Sequence, residues 1–277
     1  MIPPEEDAAS DVASMDGDAA AVTMMPDSSP PDMIPDRMSM PTMIPPETIG
    51  APALVAYWPM EEGMGGYVYD ATPNANDGTF LFDPVWQAGG FPASTGRSAW
   101  KIRFDGNDDY VEVLPKTLPD IDKPKSICFW IRIDYEVDPN RLETMVAFIN
   151  RPASAGVRIE LREGKLAVTS YFFKPIATLP PPPLGWHHIA YTYDGNVHTF
   201  YLNGGANIDV GGLEMPGVAT SMVPAEIGPA NTKDGKFRMG RSSSGVPDAF
   251  RGFLDDVRVY NRALSAAEVK SLSLGSK

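Results

Sequence analysis

The chain has 277 residues and a formal net charge of −13, with 43 % hydrophobic and 21 % charged residues. That length allows one large domain or two small ones with a sizeable core. The acid excess and the lack of a Lys/Arg cluster exclude a phosphate-backbone partner, so no nucleic acid is expected. No apolar run reaches the roughly 18 residues of a membrane-spanning helix, which excludes membrane insertion.

Residues 1–50 hold ten acidic residues against the single base Arg37, with nine prolines and eight methionines. Such a segment buries too little apolar surface to offset chain entropy, so it is expected to be a disordered acidic tail or linker. Its start has neither a basic region nor an apolar stretch, so it does not read as a signal peptide. Nearly all the net charge lies in this tail, and residues 51–277 form the folded body.

In the body, short β runs alternate with turn residues. Leu54 to Trp58 is the first run. Lys101 to Phe104 leads into the turn Asp105-Gly106-Asn107, and Tyr110 to Val113 follows. Ser126 to Ile133 is long and apolar, as a central strand is. It contains the lone cysteine, Cys128, which reads as a small buried hydrophobe and permits no intrachain disulfide. Val157 to Arg162 alternates strictly, which predicts a solvated polar face. Trp186 to Tyr193 and Val197 to Leu202 flank Asp194-Gly195-Asn196, a tight-hairpin signal. Pro180 to Pro183 mark a loop. Phe253 to Tyr260 is the last strand, and Ser265-Ala266-Ala267-Glu268 is a capping box opening one short helix. Many short strands without alternating helices predict an all-β sandwich or barrel.

Four segments carry a family resemblance. LVAYWPMEEGMGGYVYDATPNANDGTF (Leu54 to Phe80), RFDGNDDYVEV (Arg103 to Val113), GWHHIAYTYDGNVHTFYLNG (Gly185 to Gly204) and FRGFLDDVRVYNRALSAAEV (Phe250 to Val269) resemble, in order, laminin-G-like domains of the concanavalin A-like lectin/glucanase superfamily. The resemblance implies a two-sheet antiparallel jelly-roll sandwich with its first and last motifs side by side. It implies a non-catalytic binding module for carbohydrate or a protein surface, extracellular or at the cell surface. The alternatives are a structural or adhesion domain of a larger assembly and a degenerate glycoside hydrolase.

The resemblance also implies a structural Ca2+ joining the first loop to the last strand, with Asp70 and Asn76 from the loop and Asp255 from the strand. Calcium takes oxygen ligands of the kind this loop supplies. Phe253, Asp255, Val257 and Val259 share a strand parity that looks buried, where a carboxylate needs a partner or a metal. The alternatives are turn hydrogen bonds for Asp70 and Asn76, and an arginine partner or a bulge for Asp255. The hydrolases of the superfamily place a second glutamate after Glu-x-Asp. Here Glu136-Val137-Asp138 is followed by Pro139, Asn140 and Arg141, so no catalytic pair is expected. His187 and His188 are adjacent and should face opposite sides of a strand. Trp58, Trp130 and Trp186 read as core, whereas Trp86 and Trp100 are weak candidates for stacking on sugar rings.

Overall fold

The structure, a computed structural model, describes residues 49–91, 99–120, 122–150, 155–169, 175–206, 208–210, 213–222, 235–243 and 247–275. The chain divides into Met1–Asp32 and Met33–Lys277, and every described residue belongs to the second part. The expected disordered tail falls, up to residue 48, outside the described residues.

The first strands in chain order are β1 (Leu54–Trp58), β2 (Tyr67–Val68), β3 (Gly78–Leu81), β4 (Val85–Ala88), β5 (Trp100–Asp105) and β6 (Tyr110–Val113). Then come β7 (Lys125–Ile133), β8 (Glu143–Asn150), β9 (Ala155–Arg162), β10 (Lys165–Thr169), β11 (Pro175–Leu179) and β12 (Gly185–Tyr193). The last are β13 (His198–Leu202), β14 (Ile208–Val210), β15 (Leu213–Met215), β16 (Val218–Ser221), β17 (Gly235–Met239) and β18 (Arg251–Tyr260). Helix α1 (Ala266–Ser273) closes the fold, and Ser265 and Glu268 form its capping box.

These strands build an antiparallel jelly-roll sandwich. The first sheet runs β16-β13-β12-β7-β18-β5-β4, with β1 also paired to β18. The second runs β11-β10-β9-β8-β17-β6-β3-β2. β14 and β15 make a separate ribbon. The β1–β18 pairing puts the first and last motifs side by side, as the resemblance implies.

Period-two alternation decides which side chains meet between the sheets. In the second sheet, Val68, Gly78, Val113, Phe237, Phe148 and Val157 are successive cross-strand partners facing inward. In the first, Ala56, Val259, Ile127, Tyr191 and Phe200 form the matching row. Trp58 of one sheet stacks on Phe237 of the other at 5.1 Å between ring centroids. Leu54, Cys128, Ala190, Tyr201 and Tyr260 face the other way, and Leu264, Val269 and Leu272 around α1 cover them.

Three expectations need correction. The parity read along the last strand breaks at Asp256, which has φ 56° and supplies one extra residue between Asp255, opposite Trp130, and Arg258, opposite Cys128. This β-bulge reverses the alternation. Leu254 faces the core before it and Val257 and Val259 after it, while Phe253 and Asp255 lie on the outer face. Second, the polar face of Val157 to Arg162 is not solvated throughout, because Arg158 and Glu160 are both buried. Third, Trp186 is half-buried rather than core, whereas Trp130 is buried as expected, though not between the sheets. They share the outer face of the first sheet, where Phe91 stacks on Trp130 at 3.4 Å and meets Trp186 edge-on at 5.9 Å.

Candidate functional site

The residues expected to bind calcium are held by hydrogen bonds. Asp70 Oδ1 accepts from the Tyr57 and Thr72 N–H groups at 3.0 and 2.9 Å. Its Oδ2 accepts from the backbone and side-chain nitrogens of Asn76, both at 2.9 Å. Asn76 Oδ1 in turn accepts from Lys116 N at 2.8 Å and Thr117 N at 3.3 Å. The two residues therefore tie the first loop to β1 and to the segment after β6. Asp255 accepts from Phe91 N at 2.7 Å, on the outer face of the first sheet. Asp70 and Asn76 spend their side-chain oxygens on these donors, and calcium bound by those two residues would have to displace them.

The other candidates resolve as follows. Asp138 Oδ1 accepts from Asn140 N at 2.8 Å in an exposed turn after β7. His187 and His188 do face opposite ways. His187 Nε2 meets Pro183 O at 2.8 Å, and the His188 ring lies edge-on to Trp130 at 5.2 Å. Trp86 and Trp100 are half-buried at the edge of the sandwich. Trp86 tilts against Phe80 at 5.3 Å and its Nε1 donates to Gly65 O at 2.9 Å. Trp100 lies against Gly63, where φ is +67° and a Cβ would fall 2.4 Å from the indole.

A different surface gathers the groups a ligand needs. On the outer face of the second sheet, Tyr67, Thr79, Glu112, Arg238, Ala147, Arg158 and Thr169 are consecutive cross-strand partners. This single row crosses from β2 to β10. Beyond Ala147 it is buried, but at the β2–β3–β6 end it opens to solvent. There Tyr67 is 41 % exposed and Phe82, just past β3, is 62 % exposed. Phe82 tilts against Tyr110 at 5.8 Å, and Tyr67 stacks with Tyr69 at 6.4 Å.

Charge on this face is closely organised. Glu112 accepts from Lys236 Nζ at 2.6 Å and from Arg238 Nε and Nη2 at 2.8 and 2.6 Å. Burial pushes the Glu112 carboxyl up, but these two cations outweigh it and hold it below its ordinary value. The Arg238 guanidinium also lies 5.0 Å from the centre of the Tyr110 ring and donates to Ser242 O at 2.8 Å. Beside Phe82, one oxygen from each of Asp83, Asp108 and Asp109 falls within 4.8 Å of the others. Burial pushes Asp109 up to about 6, against the N–H of Asp105 that its Oδ2 accepts at 3.0 Å. Three carboxylate oxygens supply about half of the six to eight that calcium takes.

Sequence reasoning did not single out this face. Tyr67 and Phe82 lie in a two-residue strand and a turn, where alternation has no length to show itself. Glu112 and Arg238 meet only through the β6–β17 register.

The fold agrees with that of known proteins. Domain 4 of the extracellular GH43 arabinanase AbnA from Geobacillus stearothermophilus, solved with arabinotriose, superposes with a TM-score of 0.57 at 18 % identity, covering 80 % of this chain and 98 % of that one. The binding domain of Paraclostridial Mosquitocidal Protein 1 gives 0.57 at 19 %, over 80 % of this chain and 52 % of that one. A Trypanosoma rangeli sialidase mutant displaying trans-sialidase activity gives 0.56 at 16 %, over 82 % and 33 %. The chain thus spans about half of the toxin domain and a third of the sialidase. At these identities the likeness shows the fold. No curated protein sequence matches the chain. The family model for the concanavalin A-like lectin/glucanases superfamily matches residues 105–270, more than half of the chain, and the protein belongs to that superfamily.

Proposed function

We propose that this protein is a non-catalytic module that binds carbohydrate at the β2–β3–β6 end of its second sheet, outside the cell or at its surface. The observation that carries this reading is the pair of exposed rings, Tyr67 at the β2 end of the row of Thr79, Glu112 and Arg238, and Phe82 against Tyr110 of β6. Large aromatic side chains left in water on a soluble domain mark a binding surface. Their apolar faces suit the C–H faces of sugar rings, and the polar row suits the hydroxyls. The likeness in fold to an arabinanase domain solved with arabinotriose and to the binding domain of a mosquitocidal protein supports a recognition role. No helix among the described residues is long and apolar enough to cross a membrane.

Hydrolysis would need two carboxylates that water and a glycosidic oxygen can reach. Along the row itself Glu112 is clamped by Lys236 and Arg238, while Glu160 and Asp248 are fully buried, so the row offers no accessible carboxylate pair. That arrangement supports binding without catalysis. The test is a glycan array probed with the full chain in millimolar calcium and again in chelator. We expect a coherent set of glycans to be bound, and Tyr67→Ala to weaken them about tenfold or more. Silence from a folded sample would overturn the carbohydrate reading for those glycans and leave a protein-adhesion surface in its place.

A further inference from the structure

Building on the carbohydrate reading, we infer that the ligand is a neutral oligosaccharide, and that the charges around Phe82 select against sialylated and sulfated glycans. The reasoning is one of charge complementarity. Anionic sugars are held by guanidinium or ammonium groups free to form paired hydrogen bonds. The two cations at the open end of this face, Lys236 and Arg238, both pair with Glu112 at 2.6 Å, and the row's other cation, Arg158, is buried beyond Ala147. Arg238 spends a further donor on Ser242 O. Arg103 on β5 is exposed, but it alternates with the core residues Ile102 and Phe104 and so belongs to the outer face of the other sheet.

Next to the most exposed ring, by contrast, stand Asp83, Asp108 and Asp109 with their oxygens within 4.8 Å of one another. Asp83 is exposed and follows Phe82 directly. Its N–H donates to Asp109 Oδ1 at 3.3 Å, which fixes the cluster against the Phe82–Tyr110 pair. A carboxylate or sulfate stacked over Phe82 would meet like charge at close range. The repulsion is felt at the surface and weakens with salt. A neutral sugar meets the same oxygens as strong acceptors for its hydroxyls. The face is therefore built to take hydroxyls and refuse anions.

The experiment titrates the full chain by calorimetry with arabinotriose and cellotetraose as neutral probes. 3′-Sialyllactose and a sulfated heparin tetrasaccharide are the anionic ones. Tyr67→Ala, Phe82→Ala and the double variant Asp83→Asn/Asp108→Asn are run alongside, with circular dichroism to show that each folds. We expect a neutral probe to bind at least about tenfold more tightly than either anionic probe at low salt. Tyr67→Ala and Phe82→Ala should weaken that neutral binding, and the double Asn variant should narrow the gap. An anionic probe bound as tightly as the neutral ones, and lost in Tyr67→Ala, would overturn the charge inference while leaving the carbohydrate reading in place. Neutral binding untouched by both aromatic substitutions would put the sugar elsewhere and overturn the inference for this face. No binding by any probe would count against the carbohydrate reading itself, and the inference would fall with it.

Discussion

Glu112 and Arg238, far apart in the chain, face each other across the β6–β17 pair and share two hydrogen bonds of 2.8 and 2.6 Å. The contact sets the position of Tyr110 as well, because the same guanidinium lies over its ring. Arg238 is nearly buried, so Arg238→Ala leaves Glu112 with Lys236 alone and should cost about 2 kcal/mol of stability near neutral pH. The pH dependence follows from the direction of the Glu112 shift. Its folded-state value is depressed, so its contribution is present above the unfolded value of about 4.3 and is lost as pH falls below it. Urea denaturation should show the gap between variant and wild type shrinking below about pH 4. A gap that stays constant down to pH 3 would mean that the arginine acts through packing alone.

Asp70 works as an acceptor for four N–H bonds, two on each oxygen. Asp70→Ala orphans these donors in a buried loop, and the expected loss is about 3 kcal/mol. The loss should be the same in millimolar calcium and in chelator. A calcium-dependent rise in the melting temperature of the wild type that Asp70→Ala abolishes would restore Asp70 and Asn76 as ligands to the ion.

The strands were legible because alternation and turn chemistry are local. The run from Ser126 to Ile133 maps onto β7, and Asp194 accepts from Asn196 N and Val197 N at 2.8 and 2.7 Å in the hairpin turn that its Asp-Gly pair predicts. The capping box at Ser265 formed as its spacing requires. Long-range register was not legible. The bulge at Asp256 adds one residue without changing the composition of the strand, so the faces of Asp255 and Val257 could not be told from the sequence. The side on which Trp130 is buried was hidden for a related reason. The run around Cys128 is apolar on both sides, because the outer face of the first sheet is itself covered by Phe91 and α1, and an unbroken apolar run does not say which side faces the core. The candidate face depends on seven residues aligned across six strand pairs, and no local pattern encodes such a row.

His188 makes the fold sensitive to acid. Burial pulls its imidazole down to about 3, and the charge of Arg258 adds to the effect. An imidazole depressed in the folded state leaves stability intact above the unfolded value of about 6.5. Stability is then lost as pH falls below that, because the unfolded chain takes up the proton first. His188→Phe keeps a ring against Trp130 and removes the titration. Between about pH 6 and pH 4 the wild type should lose about 1.4 kcal/mol more per pH unit than the variant. Parallel stability curves for the two proteins across that interval would show that His188 does not titrate in this way.

Cys128 offers a direct measure of how firmly the outer layer is closed. It sits opposite Arg258 on one side and Ala190 on the other, beneath the residues of α1, and burial pushes its thiol up to about 12. A thiol without thiolate character and without access to solvent reacts slowly. The native protein should resist a thiol-reactive probe such as DTNB at pH 8, and one equivalent should react once urea unfolds it. Because α1 packs on this layer through Val269 and Leu272, with Leu264 just before it, Leu272→Ala should open it and raise the native labelling rate before global unfolding sets in. If the variant labels no faster than the wild type at equal stability, the helix is not what shields the thiol.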